Sequence, residues 1–205
     1  MARPQSKEYS KIRLGILRKA AAQFAKKGYA TTTIEDLANA TGSSRGALYH
    51  YFDSKEAILY EIIVARVDVM TARIQAVIEK TDDPQERCRS VIRAIIELNT
   101  ASPNESVVLM TDQQYLSRTE RTDITRRQNV IVGLVTAVLK EADVSQRLND
   151  ANARAYVMTL FGMTNFIYTW YNRRGPLPPE DLADLVADLF LSGFQAPAGT
   201  APTSS

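Results

Sequence analysis

The side chains best equipped for chemistry stand close together: Ser43, Ser44, Arg45, Tyr49, His50 and Tyr51 in one short stretch, with Lys55 just after it. All carry hydrogen-bond donors, and Arg45 and Lys55 are cationic. Such a set suits recognition of nucleic acid: hydroxyls and ammonium groups anchor phosphates, while guanidinium and imidazole groups reach base edges. Turnover is poorly served. The chain holds one cysteine, Cys88, and one histidine, His50, far apart in sequence. That leaves no close Cys–His pair, no internal disulfide and no multi-cysteine metal site. An all-helical enzyme would have to work through carboxylates alone. The expectation is no catalytic residue, no metal and no cofactor.

A surface of this kind needs helices to present it, and the residues around it supply the punctuation. Lys26 and Lys27 suit a last helical turn, where cations meet the negative end of the dipole, and Gly28 suits the left-handed cap. Thr32 followed by Glu35 reads as a capping box, so a helix should begin at Thr33 with Ile34, Leu37 and Ala38 on its apolar face. Gly42 stops it. Ser43 or Ser44 caps the next helix, which turns Ala47, Leu48 and later Phe52 inward. Asp53 with Glu56 repeats the capping pattern and opens a long helix. The spacing predicts a helix-turn-helix over about residues 33–52, with one of Tyr49 and Tyr51 half-buried. Thr32, Thr33, Ser44, Tyr49 and Lys55 are the expected phosphate anchors, and Arg45 and His50 the expected readers of base edges. Ser43, Gly46 and Tyr51 complete the DNA-facing set.

Charge is distributed as such a surface requires. Residues 1–60 hold ten Lys/Arg against five Asp/Glu, or +5, and the remainder fifteen against eighteen, or −3, together the +2 of the whole chain. A basic head on a slightly acidic body fits a molecule that meets phosphate at one end. It argues against a ligand-independent architectural binder, which would be basic throughout. With 205 residues and 45% hydrophobic content, the chain reads as one or two globular domains with a sizeable core. A lone cysteine, no apolar run near the roughly 18 residues of a membrane span, and no apolar leader predict a cytoplasmic protein without membrane contact.

The rest reads as helix throughout. Ile12, Ile16, Leu17, Ala20, Ala21 and Phe24 predict a first helix over about Tyr9–Lys27. Further helices are expected from Ser54 to about Glu79, from Pro84 to about Asn99, near Glu105–Leu116, and from about Thr122 to Ala142. The last two cover Asn152–Asn172 and Glu180–Phe194. No strand pattern or internal repeat is visible. The domains so defined are 1–53, a three-helix head, and 54–195, a helical body. The tail 196–205, rich in Ala, Pro, Thr and Ser, is expected to be disordered. Within the body, Met110, Gln113, Tyr115, Met158, Phe161, Phe166 and Trp170 are large and adaptable with scattered polar tips. On spacing alone they are as readily core as ligand pocket. On the last helix, Leu182, Leu185, Val186, Leu189 and Phe190 present an apolar face.

The stretch Ile12 to Leu59 resembles the DNA-binding domain of TetR-family transcriptional regulators. The matching residues are Ala20-Ala21, Phe24, Gly28-Tyr29, Thr31-Thr32-Thr33, Leu37-Ala38, Gly42-Ser43-Ser44, Gly46, Leu48-Tyr49, Tyr51-Phe52 and Ser54-Lys55-Glu56. Ser43 departs from the pattern, which often has an apolar residue there. The resemblance implies an all-α fold: an N-terminal helix-turn-helix domain joined by a long helix to a C-terminal ligand-binding and dimerisation domain. It implies a homodimer on a palindromic double-stranded DNA operator, most simply a repressor released by a small hydrophobic effector. An activator, or a regulator without ligand, is the alternative. It further implies that the last two helices pair with a second copy through Leu182, Leu185, Val186, Leu189 and Phe190, and it favours the pocket reading of the Met and aromatic set. The ending Trp170-Tyr171-Asn-Arg-Arg-Gly-Pro-Leu177 is similar to a branch that includes acyl-CoA-responsive members, although Phe161 and Thr169 stand where arginines for a CoA phosphate would be needed. The expected location is the bacterial cytoplasm, on the nucleoid when bound.

Overall fold

The computed structural model describes residues 7–144 and 146–195, and every regular element among them is helical. In order these are α1 (Lys7–Lys27), α2 (Ile34–Thr41), α3 (Arg45–Tyr51), α4 (Lys55–Ile78), α5 (Pro84–Ala101), α6 (Pro103–Thr111), a 3₁₀ turn at Gln113–Tyr115, α7 (Arg118–Ala142), α8 (Ala153–Asn165), α9 (Ile167–Trp170) and α10 (Pro179–Gln195). The tail expected at 196–205 lies outside the described residues. The chain divides into two compact units. One takes the chain up to Val69 together with Ser102–Gln128; the other takes Met70–Ala101 and the chain from Asn129 onward.

The first unit is built around the buried face of α1. Ile16, Leu17, Ala20, Ala21 and Phe24 meet Leu37 and Ala38 of α2, Leu48 of α3, and Ile58, Leu59, Ile62 and Ile63 of α4. Val108, Leu116 and Ile124 join the same core. The unit thus runs past the expected boundary at 53/54, because α6 packs along α1 and the start of α7 belongs with it.

The second unit buries one face each of α5, α8 and α10. Cys88, Val91, Ile92, Ile95 and Ile96 of α5 are covered, as are Val157 and Leu160 of α8 and Leu182, Ala183, Val186, Ala187, Phe190 and Leu191 of α10. α10 lies along α5, where Arg93 pairs with Asp184 and Arg89 with Asp188, each at 2.5 Å. Burial pushes the Cys88 thiol up to about 12, so this lone cysteine is a small apolar core residue.

Three helix boundaries differ from the sequence reading, each for a local reason. The helix expected near Glu105–Leu116 ends at Thr111 and hands over to the 3₁₀ turn. α7 starts four residues earlier than expected, because Ser117 and Glu120 exchange side-chain and backbone bonds at 3.2 and 2.9 Å as a capping box. The single helix expected over Asn152–Asn172 is broken at Phe166. The buried Asn99 amide donates to the Thr164 carbonyl at 2.9 Å, satisfying a group at the interrupted end.

Candidate DNA-binding surface

The turn between α2 and α3 is fixed by bonds that the residue types make possible. Thr33, not Thr32, caps α2: its hydroxyl accepts from the Asp36 amide at 3.1 Å, and its own amide donates to Asp36 Oδ2 at 2.9 Å. The capping box is therefore one residue further on than expected. Lys27 pairs with Asp36 at 2.6 Å, and this ammonium, then the Thr33 amide, hold the Asp36 carboxyl down at about 2. Gly42 adopts φ 71°, a left-handed cap that glycine takes without strain, and Ser43 donates its amide to Ala38 at 2.9 Å. Ser44 caps α3 by accepting from the Ala47 amide at 3.1 Å. α4 is capped by Ser54, whose hydroxyl accepts from the Ala57 amide at 3.0 Å, rather than by the expected Asp53.

α3 buries one side chain, Leu48. Ser44, Arg45, Gly46, Ala47, Tyr49 and His50 are exposed, so the helix presents nearly all its surface outward; the expected inward Ala47 is among the exposed residues. Tyr51 is the half-buried tyrosine. Its ring packs 4.8 Å from Tyr9 of α1, and the His50 ring meets both edge-on, 5.3 Å from Tyr51 and 6.3 Å from Tyr9. For Tyr9 the sequence offers no signal of this contact beyond an aromatic at the start of the first helix. A Cβ at Gly46 would lie 3.9 Å from Ser44 Oγ, an ordinary contact, so packing within the chain does not demand glycine there.

Thr32 and Lys55 prove to be engaged inside the unit. Thr32 is 1% exposed and donates its hydroxyl to the Gly28 carbonyl at 2.8 Å, which withdraws it from the phosphate anchors expected above. Lys55 Nζ donates to the carbonyls of Tyr29 at 3.0 Å and Thr32 at 2.9 Å and lies 4.2 Å from the centre of the Tyr29 ring. Tyr29 is buried. Its hydroxyl donates to Glu56 at 2.9 Å, and its ring lies 4.9 Å from that of Tyr115. Burial first, then the Glu56 carboxylate, raise the Tyr29 pKa above its usual value. Lys55 thus ties the start of α4 to the loop before α2.

The residues expected to form a pocket fall in both units: Met110, Gln113 and Tyr115 in the first, Met158, Phe161, Phe166 and Trp170 in the second. Met110, Tyr115, Met158, Phe166 and Trp170 are exposed, and Gln113 and Phe161 half-buried. The five residues expected at a dimer interface divide by face. Leu182, Val186 and Phe190 are buried and belong to the chain's own core, a correction that follows from the seating of α10 on α5. Leu185 and Leu189 remain 49% and 60% exposed. Beside them an apolar groove of about 300 Å³ runs between α8 and α10, lined by Ala155, Tyr156, Thr159, Met163, Leu189 and Phe190. The small residues in its lining are Ala155 and Thr159, four apart on one face of α8, and Gly193 of α10.

Two family models match: residues 16–62 fit "Bacterial regulatory proteins, tetR family", and residues 81–194 fit "Tetracyclin repressor-like, C-terminal domain". The chain belongs to the TetR family. It is 31% identical to the HTH-type transcriptional repressor KstR2 of Mycobacterium tuberculosis, over 87% of this chain and 90% of that protein. A TetR-family transcriptional regulator from Bordetella parapertussis has a similar structure, with TM-score 0.85 and 33% identity, covering 94% of this chain and all of that one. The structure of KstR2, described as a ketosteroid transcriptional regulator, matches at TM-score 0.79 and 26% identity, covering 88% and 93%. This TetR-family chain is a DNA-binding transcriptional regulator, and its relatives are regulators rather than enzymes. Among the described residues, no helix is long and apolar enough to cross a membrane.

Proposed function

We propose that the protein is a homodimeric repressor that binds a palindromic operator and leaves it when a small hydrophobic effector binds the helical body. The observation that carries this is α3: one buried leucine anchors a helix whose other side chains, the half-buried Tyr51 excepted, face outward, Arg45, Tyr49 and His50 foremost. Arg45 and His50 read base edges, while Thr33, Ser43, Ser44 and Tyr49 hold phosphates. Gly46 leaves room for the DNA backbone, and Tyr51 positions His50. Lys55, with one ammonium hydrogen left after its two inward bonds, adds a phosphate contact at the start of α4.

Dimerisation uses the outward faces of α8 and α10, with Leu185 and Leu189 flanking the small residues of α8. Reading both half-sites on one face of DNA requires the two α3 helices about 34–36 Å apart, the spacing of successive major grooves. An effector that favours another spacing opposes DNA by linkage, with a coupling of about 1–3 kcal/mol. Effector uptake is assigned to the break at Phe166, where Met158, Phe166 and Trp170 expose apolar surface. An acyl-CoA is the class to test first, on the similarity of the Trp170–Leu177 ending. Such a regulator works in the bacterial cytoplasm, on the nucleoid when bound.

The test couples two readouts. Operators are selected from random DNA, then titrated with acyl-CoA thioesters while Trp170, the chain's single tryptophan, reports by fluorescence. The expected result is a palindromic site, a blue shift and release of DNA. A non-palindromic site bound by a monomer would overturn the dimer, and a fluorescence change without release would overturn the linkage.

A further inference from the structure

In the first unit, a cleft of about 220 Å³ opens where α1, α4 and α6 meet. Its walls are aliphatic: Leu14 and Leu17 from α1, Ile62 and Val69 from α4. Leu14 and Val69 stand 59% and 52% exposed, large apolar side chains left in water at this site. The polar lining is Arg18, Arg66, Ser102 and Glu105. Arg66 is 5% exposed and donates to Ser106 Oγ at 3.2 Å; burial lowers its pKa, and the Glu105 carboxylate acts in the opposite sense. Arginine is seldom buried so deeply.

We propose that this cleft binds a short-chain monocarboxylate, its carboxylate on Arg18 and Arg66 and its alkyl chain along Leu14, Leu17, Ile62 and Val69. Charge and size select this class. Arg18, Arg66 and Glu105 together carry +1, which one carboxylate neutralises and a phosphate dianion overshoots. A guanidinium fork matches a carboxylate bidentately. The volume falls below the roughly 300–1,000 Å³ of drug-sized pockets, so the ligand is small. The site lies among helices of the helix-turn-helix unit and is separate from the effector uptake assigned to the Phe166 break. Because α1 and α4 pack on α2 and α3, occupancy acts on the recognition helix; that consequence rests on the DNA-binding reading, whereas the binding does not.

Isothermal titration of the full chain at constant ionic strength tests it with acetate, butyrate, hexanoate and octanoate, and with hexanamide and inorganic phosphate as comparators. Affinity should rise roughly fourfold per added methylene until the cleft is full, and hexanamide and phosphate should not bind. Leu14→Gln, a change at an exposed position, should flatten the chain-length dependence, and Val69→Ser should do the same from the opposite wall. Arg18→Gln should weaken every carboxylate about two- to fivefold. Absence of carboxylate binding, equal binding of phosphate and hexanoate, or an unchanged chain-length dependence in both aliphatic variants would overturn the site. Hexanoate binding without any change in operator affinity would retain the site and remove its effect on DNA.

Discussion

The outward faces of α3 and α10 are both more exposed than one chain's packing requires, yet they expose opposite chemistries. α3 buries Leu48 and leaves Arg45, Tyr49 and His50 in water. α10 buries Leu182, Val186 and Phe190 and leaves Leu185 and Leu189 in water. Donors in water cost nothing while they wait for a polyanion, whereas exposed leucines lose hydrophobic free energy until covered. On the proposed reading the first is a surface for DNA and the second a surface for protein, and each should fail separately.

The largest expected effect breaks the α10 side. Leu185→Asp with Leu189→Asp places carboxylates on an exposed face without disturbing the core, so the variant should stay helical by circular dichroism but sediment as a monomer. Loss of the second half-site should lower operator affinity by roughly 10²–10⁴-fold. A folded dimer at the wild-type sedimentation rate would end the assignment of this face. Val186→Asp, one residue along and buried, should instead unfold the second unit.

The α3 side is broken from within by Leu48→Ala. Removing its one buried side chain should cost about 2–5 kcal/mol in urea unfolding, with the α5–α10 packing left intact. Equal loss of protection in both units by hydrogen exchange would mean that they do not unfold independently.

Arg45→Ala sharpens the comparison without unfolding anything. It should lose about 1–3 kcal/mol on the selected operator and less on random DNA. Equal losses on both would make Arg45 a phosphate clamp.

The smallest effect is electrostatic. The folded pKa of Asp36, about 2, lies below its usual 3.8, so its contribution is complete above that value and fades as pH falls towards 2. Asp36→Asn should remove this part of the acid transition, followed by circular dichroism between about pH 4 and 2, while leaving sedimentation unchanged. An identical acid transition in the variant would show that Lys27 and Thr33 do not stabilise α2 through this carboxylate.

Local signals were legible wherever one helix end decides the structure. Gly28 and Gly42 both take left-handed caps, at φ 84° and 71°, and Ser44 caps α3, as the sequence pattern implied. Boundaries slipped where two neighbouring residues compete for one cap, as Thr33 against Thr32 and Ser54 against Asp53. The Ser117–Glu120 box at the start of α7 is another such local signal in the sequence. The break at Phe166 was not readable, because the donor that satisfies the interrupted end, Asn99, is 65 residues away.

By itself the sequence determined the helical class, the helix-turn-helix and the donors on α3, since capping and 3.6-residue periodicity act within a few residues of chain. Only the tertiary structure decided which apolar face of α10 is core and which is left open, because both are leucine-rich and only contact with α5 tells them apart. It alone buried Thr32 and turned Lys55 inward, since the carbonyls that Lys55 reaches, of Tyr29 and Thr32, are 26 and 23 residues away along the chain. Burial and long-range hydrogen bonding are properties of the assembled chain, and a periodic pattern cannot say which of two eligible faces will receive them.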